Sequence, residues 1–143
     1  MAEGVALLRR ALGLRRVGAY QLQAAISAVH AEAATPSETD WQEIAGLYQE
    51  LLRISSSPVI ALNHAVAVAM SDGLEQGLTR IEEVGASGQL ENYHLFHAAR
   101  ADILRRLGRK SESAEAYAAA LRLATNKVEQ DYLSERLKQV SRC

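Results

Sequence analysis

Four histidines are the residues in this sequence with the most evident chemistry. His94 and His97 lie three residues apart, a spacing at which one helix can present two zinc ligands, and His30 and His64 could add others. A zinc site needs three or four ligands with supporting hydrogen bonds. Because no acidic residue accompanies the histidines in a known metal-binding motif, we expect packed or groove-facing histidines and no metal.

Motifs of catalytic sites are missing from the sequence. It contains neither a Gly-x-Ser-x-Gly turn nor a phosphate-binding Walker loop, and Cys143 is its one cysteine. A single cysteine allows no internal disulfide, which fits a reducing cytoplasm. No apolar run reaches the roughly 18 residues of a membrane span. We therefore expect a cytoplasmic protein that is not an enzyme and needs no cofactor.

Charge is unevenly distributed along the chain, although the net charge is only −1. Residues 32–91 hold ten acidic residues against two arginines, whereas residues 92–143 hold ten lysines and arginines against six acidic residues. The isoelectric point of about 6.4 is far below that of a typical nucleic-acid-binding domain. We expect no direct contact with nucleic acid, and an acidic surface that docks on a basic partner.

Apolar residues recur at helical spacing along nearly the whole chain, and 25 alanines favour closely packed helices. The apolar stripes predict seven helices, over residues 22–33, 41–51, 58–70, 74–84, 90–107, 114–124 and 128–140. In the third helix only Asn63 and His64 are polar, which indicates burial on several sides. The sequence is therefore that of an all-α protein.

Capping residues mark the ends of these helices. An N-terminal cap followed three residues later by Glu or Gln is expected at Thr39 with Gln42, Asp72 with Glu75, and Asn126 with Glu129. Pro58 suits the first turn of the third helix, and Gly108 suits the end of the fifth. Because only a few residues separate successive helices, we expect the helices to form antiparallel hairpins.

One hairpin matches the tetratricopeptide repeat. Ser113, Tyr117 and Ala120 follow that repeat's small–aromatic–small pattern, and the turn before them reads Leu107-Gly108-Arg109. Two earlier segments fit more loosely (Gly77, Ile81 and Val84; Ile44, Tyr48 and Leu51). We expect one tetratricopeptide-like domain over residues 1–143, with three antiparallel hairpins and a seventh helix as a cap.

The first helix of each hairpin lines a concave groove in such repeats. Asn63 has two open interpretations: its amide binds a partner's peptide backbone in the groove, or it is buried and ties two helices together. The candidate groove residues are Asn63, His64, His97, Arg100, Tyr20 and Gln23.

Three longer stretches carry a family resemblance. They are residues 18–33 (GAYQLQAAISAVHAEA), residues 40–69 with the run LNHAVAVA, and residues 93–109 (YHLFHAARADILRRLGR). Together they resemble the C-terminal extension of one group of extracytoplasmic-function (ECF) sigma factors, in which a tetratricopeptide-like domain follows two promoter-binding domains. The resemblance runs from about Glu3 to Leu137. Ala19 and His64 stand where that family usually has proline and arginine.

The resemblance implies a regulatory module that modulates transcription initiation. Its implied partners are the sigma factor's promoter-binding domains in the same polypeptide, RNA polymerase, and a small protein related to the YCII family. Because no promoter-melting helices or helix-turn-helix occur here, it also implies a C-terminal fragment that begins within a helix over residues 3–14. Two alternatives stay open: a stand-alone peptide-binding scaffold, and a small-molecule or metal sensor that uses the histidines.

Overall fold

The computed structural model describes residues 18–32 and 39–141, and the helix predicted over residues 3–14 lies outside them. The described residues form seven helices and no strand, so the prediction of an all-α fold of helical hairpins is confirmed. The helices are α1 (Ala19–Glu32), α2 (Trp41–Ile54), α3 (Pro58–Ser71), α4 (Leu74–Gly85), α5 (His94–Arg106), α6 (Lys110–Leu123) and α7 (Lys127–Ser141). They belong to two compact units, divided between Asp72 and Gly73.

The first unit is built around α2, which packs against both α1 and α3. Its core consists of the apolar stripes that the sequence predicted, because side chains three and four residues apart share one face of a helix. The buried core residues are Leu22, Ala25, Ile26, Val29, Ile44, Leu47, Leu51 and Ala67. Trp41 packs at the edge of this core, and the His30 ring meets it edge-on with the ring centroids 5.3 Å apart.

The beginnings of α2 and α3 test two capping predictions. Asp40 caps α2, because its side chain accepts the backbone N–H of Glu43 at 3.1 Å. The predicted cap at Thr39 is therefore wrong by one residue. Pro58 occupies the first turn of α3 as predicted, where its missing N–H removes no helical hydrogen bond.

The second unit is built around α6, which packs against α5 and α7, while α4 packs on α5. Ser113, Tyr117 and Ala120 are all buried, as the repeat pattern predicted. The Ser113 hydroxyl donates to the carbonyl of Ala101 at 2.8 Å, so its polar atom is satisfied inside the α5–α6 contact. In α7, Leu133 and Val140 are buried, but Val128, which we placed on the same apolar stripe, is 80% exposed.

One cap and one helix start in the second unit differ from the predictions. The cap of α4 is Gly73 at φ +135°, a conformation that favours glycine, and it makes no side-chain cap bond. Asp72 is instead the C-terminal cap of α3, so the prediction that it caps the start of α4 is wrong. Helix α5 begins at His94 rather than Leu90, because residues 86–93 form successive turns and Leu90 is buried as a turn residue.

Two other helix ends agree with the sequence. Gly108 at φ +81° ends α5 in a Schellman motif, in which Gly108 N–H donates to the Arg105 carbonyl at 3.0 Å and Arg109 N–H to the Leu104 carbonyl at 2.9 Å. Asn126 caps α7, because its side-chain oxygen accepts the Glu129 N–H at 2.8 Å. Both ends are fixed by local chemistry, which explains why the sequence alone predicts them.

Candidate functional site

A groove in the second unit lies between α4, α5 and the turn after α5, and its volume is about 380 Å³. Its floor includes the buried Leu78, and its walls carry mostly charged side chains. The lining residues are Glu75, Leu78, Thr79, Glu82, Glu83, Arg100 and Arg109. The groove therefore combines a small apolar floor with a rim that can form ion pairs.

The amphipathic sequence of α4 produces one wall of this groove. Gly77, Leu78 and Ile81 are buried against the unit, so the acidic residues of the helix remain exposed. At the C-terminal end of α4, Gly85 lets the Phe96 ring of α5 approach closely, since a Cβ on Gly85 would lie 2.7 Å from the Phe96 Cζ. This contact allows α4 and α5 to pack closely at the C-terminal end of α4.

Electrostatic compensation within the groove is incomplete. The Arg100 Nε–H donates to the Glu82 carboxylate, joining α5 to α4. Arg109 binds Glu112 through two hydrogen bonds of 2.8 and 2.9 Å, and Glu112 does not line the groove. Within the described ranges, the carboxylates of Glu75 and Glu83 have no ion-pair partner. The groove thus offers two uncompensated carboxylates to a cation.

Two of the predicted groove residues lie on α5. Arg100 lines the groove and is held by Glu82. His97 is half-buried, and its Nε2 lies 2.7 Å from the Glu91 carbonyl oxygen, which ties the preceding turns to α5. Its ring also meets Phe96 edge-on, with centroids 5.1 Å apart. Arg100 therefore lines the α4–α5 groove, whereas His97 is not among its lining residues and contacts the turn before α5 and the Phe96 ring.

The other four predicted residues belong to the first unit. Asn63 is exposed on α3, which excludes the interpretation of a buried amide between two helices. His64 is half-buried beside it. Tyr20 is 83% exposed and Gln23 is also exposed, both on α1. These four side chains thus lie on two helices that each pack against α2, and none of the four is among the residues that line the α4–α5 groove.

His94 makes a contact between helices. Its Nε2 lies 2.7 Å from Glu129 Oε2, which links the first turns of α5 and α7. Both atoms are buried, and among the described residues they have no other hydrogen-bond partner. In that same part of the chain, no three His, Cys, Asp or Glu side chains are grouped so that they could hold a metal ion.

The basic residues at the end of α5 are paired within the unit. Arg105 and Arg106 both contact Asp102, at 2.6 and 3.2 Å. Arg105 also donates to the Tyr117 hydroxyl at 3.3 Å. The bond to Asp102 raises the pKa of Arg105, and burial raises the pKa of Tyr117. The two guanidinium groups are therefore held by one shared carboxylate.

The acidic lining is the part of the site that residue-by-residue reasoning missed. The acidic segment over residues 32–91 is evident in the sequence, but no motif there assigns Glu75, Glu82 or Glu83 to a site. The spacing of these three residues does indicate a shared acidic face, because Glu82 and Glu83 follow Glu75 by seven and eight positions, and such residues lie on one side of a helix.

Comparison with known proteins gives one informative match. The chain is 42% identical over 141 residues to "Uncharacterized protein R00370" of Rhizobium meliloti (strain 1021). The match covers 99% of this chain and 33% of the relative, so the chain spans about a third of the length of the curated relative it matches. No model of a known protein family matches the chain, and no solved structure does. None of the described helices has the length and hydropathy needed to cross a membrane.

Proposed function

We propose that this chain is a regulatory protein-interaction module of an ECF sigma factor, which modulates transcription initiation. The assignment to sigma factors is supported by the three stretches that resemble the family's C-terminal extension. The length of the relative, about three times that of the matched segment, agrees with a module joined to further domains. Under this proposal the module works in the cytoplasm, by protein contacts, without catalysis and without a cofactor.

The observation that carries the proposal is the α4–α5 groove with its two unpaired carboxylates, Glu75 and Glu83. Promoter-binding domains present basic surfaces, because phosphate contacts dominate DNA affinity. An acidic groove complements such a surface. When both partners belong to one polypeptide, the linker raises their effective concentration, so a weak contact is sufficient for regulation. RNA polymerase and a small YCII-related protein are the further partners in this proposal.

The pairing of the arginines agrees with a protein partner rather than a nucleic acid. Arg105 and Arg106 share the carboxylate of Asp102, and Arg109 is held by Glu112. A phosphate would have to compete with those carboxylates, whereas a partner's lysine or arginine finds Glu75 and Glu83 without an ion-pair partner in the described structure.

Calorimetric titration of this chain with the promoter-binding domains of the same polypeptide tests the proposal. We expect saturable binding that weakens between about 50 mM and about 500 mM salt, because salt screens exposed charges. The double variant E75Q/E83Q should bind about two- to thirtyfold more weakly at low salt, since each of the two exposed ion pairs contributes about 0.2–1 kcal/mol. The matched control is E115Q/E135Q, which removes two exposed carboxylates on α6 and α7 outside the groove. Equal affinity of the double variant and the control would contradict the groove's role.

A second candidate function, a stand-alone peptide-binding scaffold, is favoured by the exposure of Asn63. Val59 and Met70 lie on the same helix, are 37% and 39% exposed, and flank this amide. An amide that can donate and accept suits a peptide backbone. If the N63A variant loses partner binding while E75Q/E83Q retains it, the surface on α3 is the binding site and this second function is preferred.

A further inference from the structure

A cationic side chain of this chain itself binds a carboxylate in the lining of the groove. The guanidinium of Arg100 reaches from α5 to the Glu82 carboxylate on α4, and both residues line the groove. We propose that this contact is autoinhibitory: Arg100 occupies a carboxylate that a partner's cationic side chain would use, so that docking requires its displacement. The inference rests on the proposed function of the groove and adds the way in which that groove is regulated.

The exposure of the pair makes such displacement feasible. The Glu82 side chain is 51% exposed and that of Arg100 is 26% exposed, so solvent and a partner can reach the contact. Exposed ion pairs contribute little net free energy, because water and salt screen both charges. A partner that brings one cation to Glu82 and another to Glu75 or Glu83 gains more contacts than it breaks. The Arg100–Glu82 ion pair therefore lowers the affinity of the groove for a cationic partner but does not block access to the groove.

The second arginine of the groove provides a matched comparison. Arg109 also lines the groove, but its carboxylate partner is Glu112, which lies on α6 outside the lining. Removing either arginine deletes one positive charge at the groove. Only removal of Arg100 frees a carboxylate inside it. A difference in affinity between the two variants therefore reports the competition of Arg100 for Glu82, because the change in net charge is the same in both.

The sign of the effect separates this proposal from the expectation drawn from the sequence. As a groove-lining binding residue, Arg100 should contribute to affinity, and its replacement should weaken binding. As an internal competitor for Glu82, it should reduce affinity for a cation, and its replacement should strengthen binding.

NMR titration with the blocked dipeptide acetyl-Arg-Arg-amide at low ionic strength tests the proposal, with the whole chain as wild type, R100Q and R109Q. We expect R100Q to bind about threefold more tightly than R109Q, the effect of one weak exposed ion pair. In the wild type, the Arg100 Nε–H resonance should move toward that of a free arginine at saturation. R100K, which keeps the charge but loses the planar guanidinium, should fall between wild type and R100Q.

Three results would overturn the proposal: equal affinity of R100Q and R109Q, an unchanged Arg100 resonance in the saturated wild type, or no binding to R100Q. Thermal unfolding of each variant shows whether the comparison is made between folded chains. The dipeptide experiment uses no sigma factor domain. It therefore fails or succeeds independently of the partner identified under the proposed function.

Discussion

Replacement of Gly85 by alanine tests the close approach of α4 and α5 on which the groove depends. The new Cβ would lie 2.7 Å from Phe96 Cζ and 3.3 Å from Cε1, whereas carbon atoms pack best at about 3.5–4.0 Å. Phe96 is only 7% exposed, so its ring has little room to move. Overpacking of this kind costs about 1–3 kcal/mol.

Helix propensity opposes part of this cost. Alanine is favoured over glycine by up to about 1 kcal/mol inside a helix, and by less at Gly85, which is the last residue of α4. We therefore expect G85A to lower the free energy of unfolding of the second unit by about 1–2 kcal/mol. The same substitution at Gly46 should raise stability by about 0.5–1 kcal/mol. Gly46 is exposed within α2, and its Cβ would meet nothing within 4 Å.

Urea denaturation followed by circular dichroism measures both variants under the same conditions. We expect the midpoints to move in opposite directions, downward for G85A and upward for G46A. A G85A midpoint as high as that of G46A would refute the reasoning, because it would mean that Phe96 moves aside at no cost.

Three further predictions concern the caps, the core and the pH dependence. N126A removes the cap on Glu129 N–H and should cost about 1 kcal/mol in urea denaturation, with an unchanged midpoint as the contrary result. S113V adds bulk at a fully buried site and deletes a hydrogen bond, so it should cost about 2 kcal/mol in the same assay. Burial raises the pKa of Tyr48 and Tyr117, so their stabilising contribution is complete below about pH 10, the unfolded value, and is lost as pH rises through the folded values. Absorbance titration of the folded chain should show two tyrosines that ionise at a higher pH than the others. Ionisation of all tyrosines at the same pH would contradict this.

Sequence periodicity predicts the helices of this protein well, and it predicts their first residues less well. Apolar spacing reports the buried face, and that face is set by local geometry. The first residue of α4 agrees with the apolar spacing, but its cap was predicted one residue too early, because Gly73 adopts a positive φ directly after the acidic residue that resembles a cap. The start of α5 was misplaced because Leu90 is buried within a turn, and so it extends the apolar stripe without being helical.

The candidate site depends on tertiary contacts that periodicity does not contain. Arg100 was predicted as a binding residue from the sequence. Its partner Glu82 is 18 residues away along the chain, and the two side chains meet only because α4 and α5 pack together. The closeness of those helices depends in turn on the absence of a side chain at Gly85. Asn63 stands exposed on a helix that looked buried on several sides, because the number of neighbours around α3 is also a tertiary property.

Transcription in a reaction reconstituted from RNA polymerase and the complete polypeptide tests the central claim most directly. Initiation should change when this segment is deleted, and it should change in the same direction with E75Q/E83Q, whereas the control E115Q/E135Q should behave as the wild type. Unchanged transcript levels after deletion would contradict a regulatory role for the module. A change on deletion that E75Q/E83Q does not reproduce would contradict the role of the α4–α5 groove.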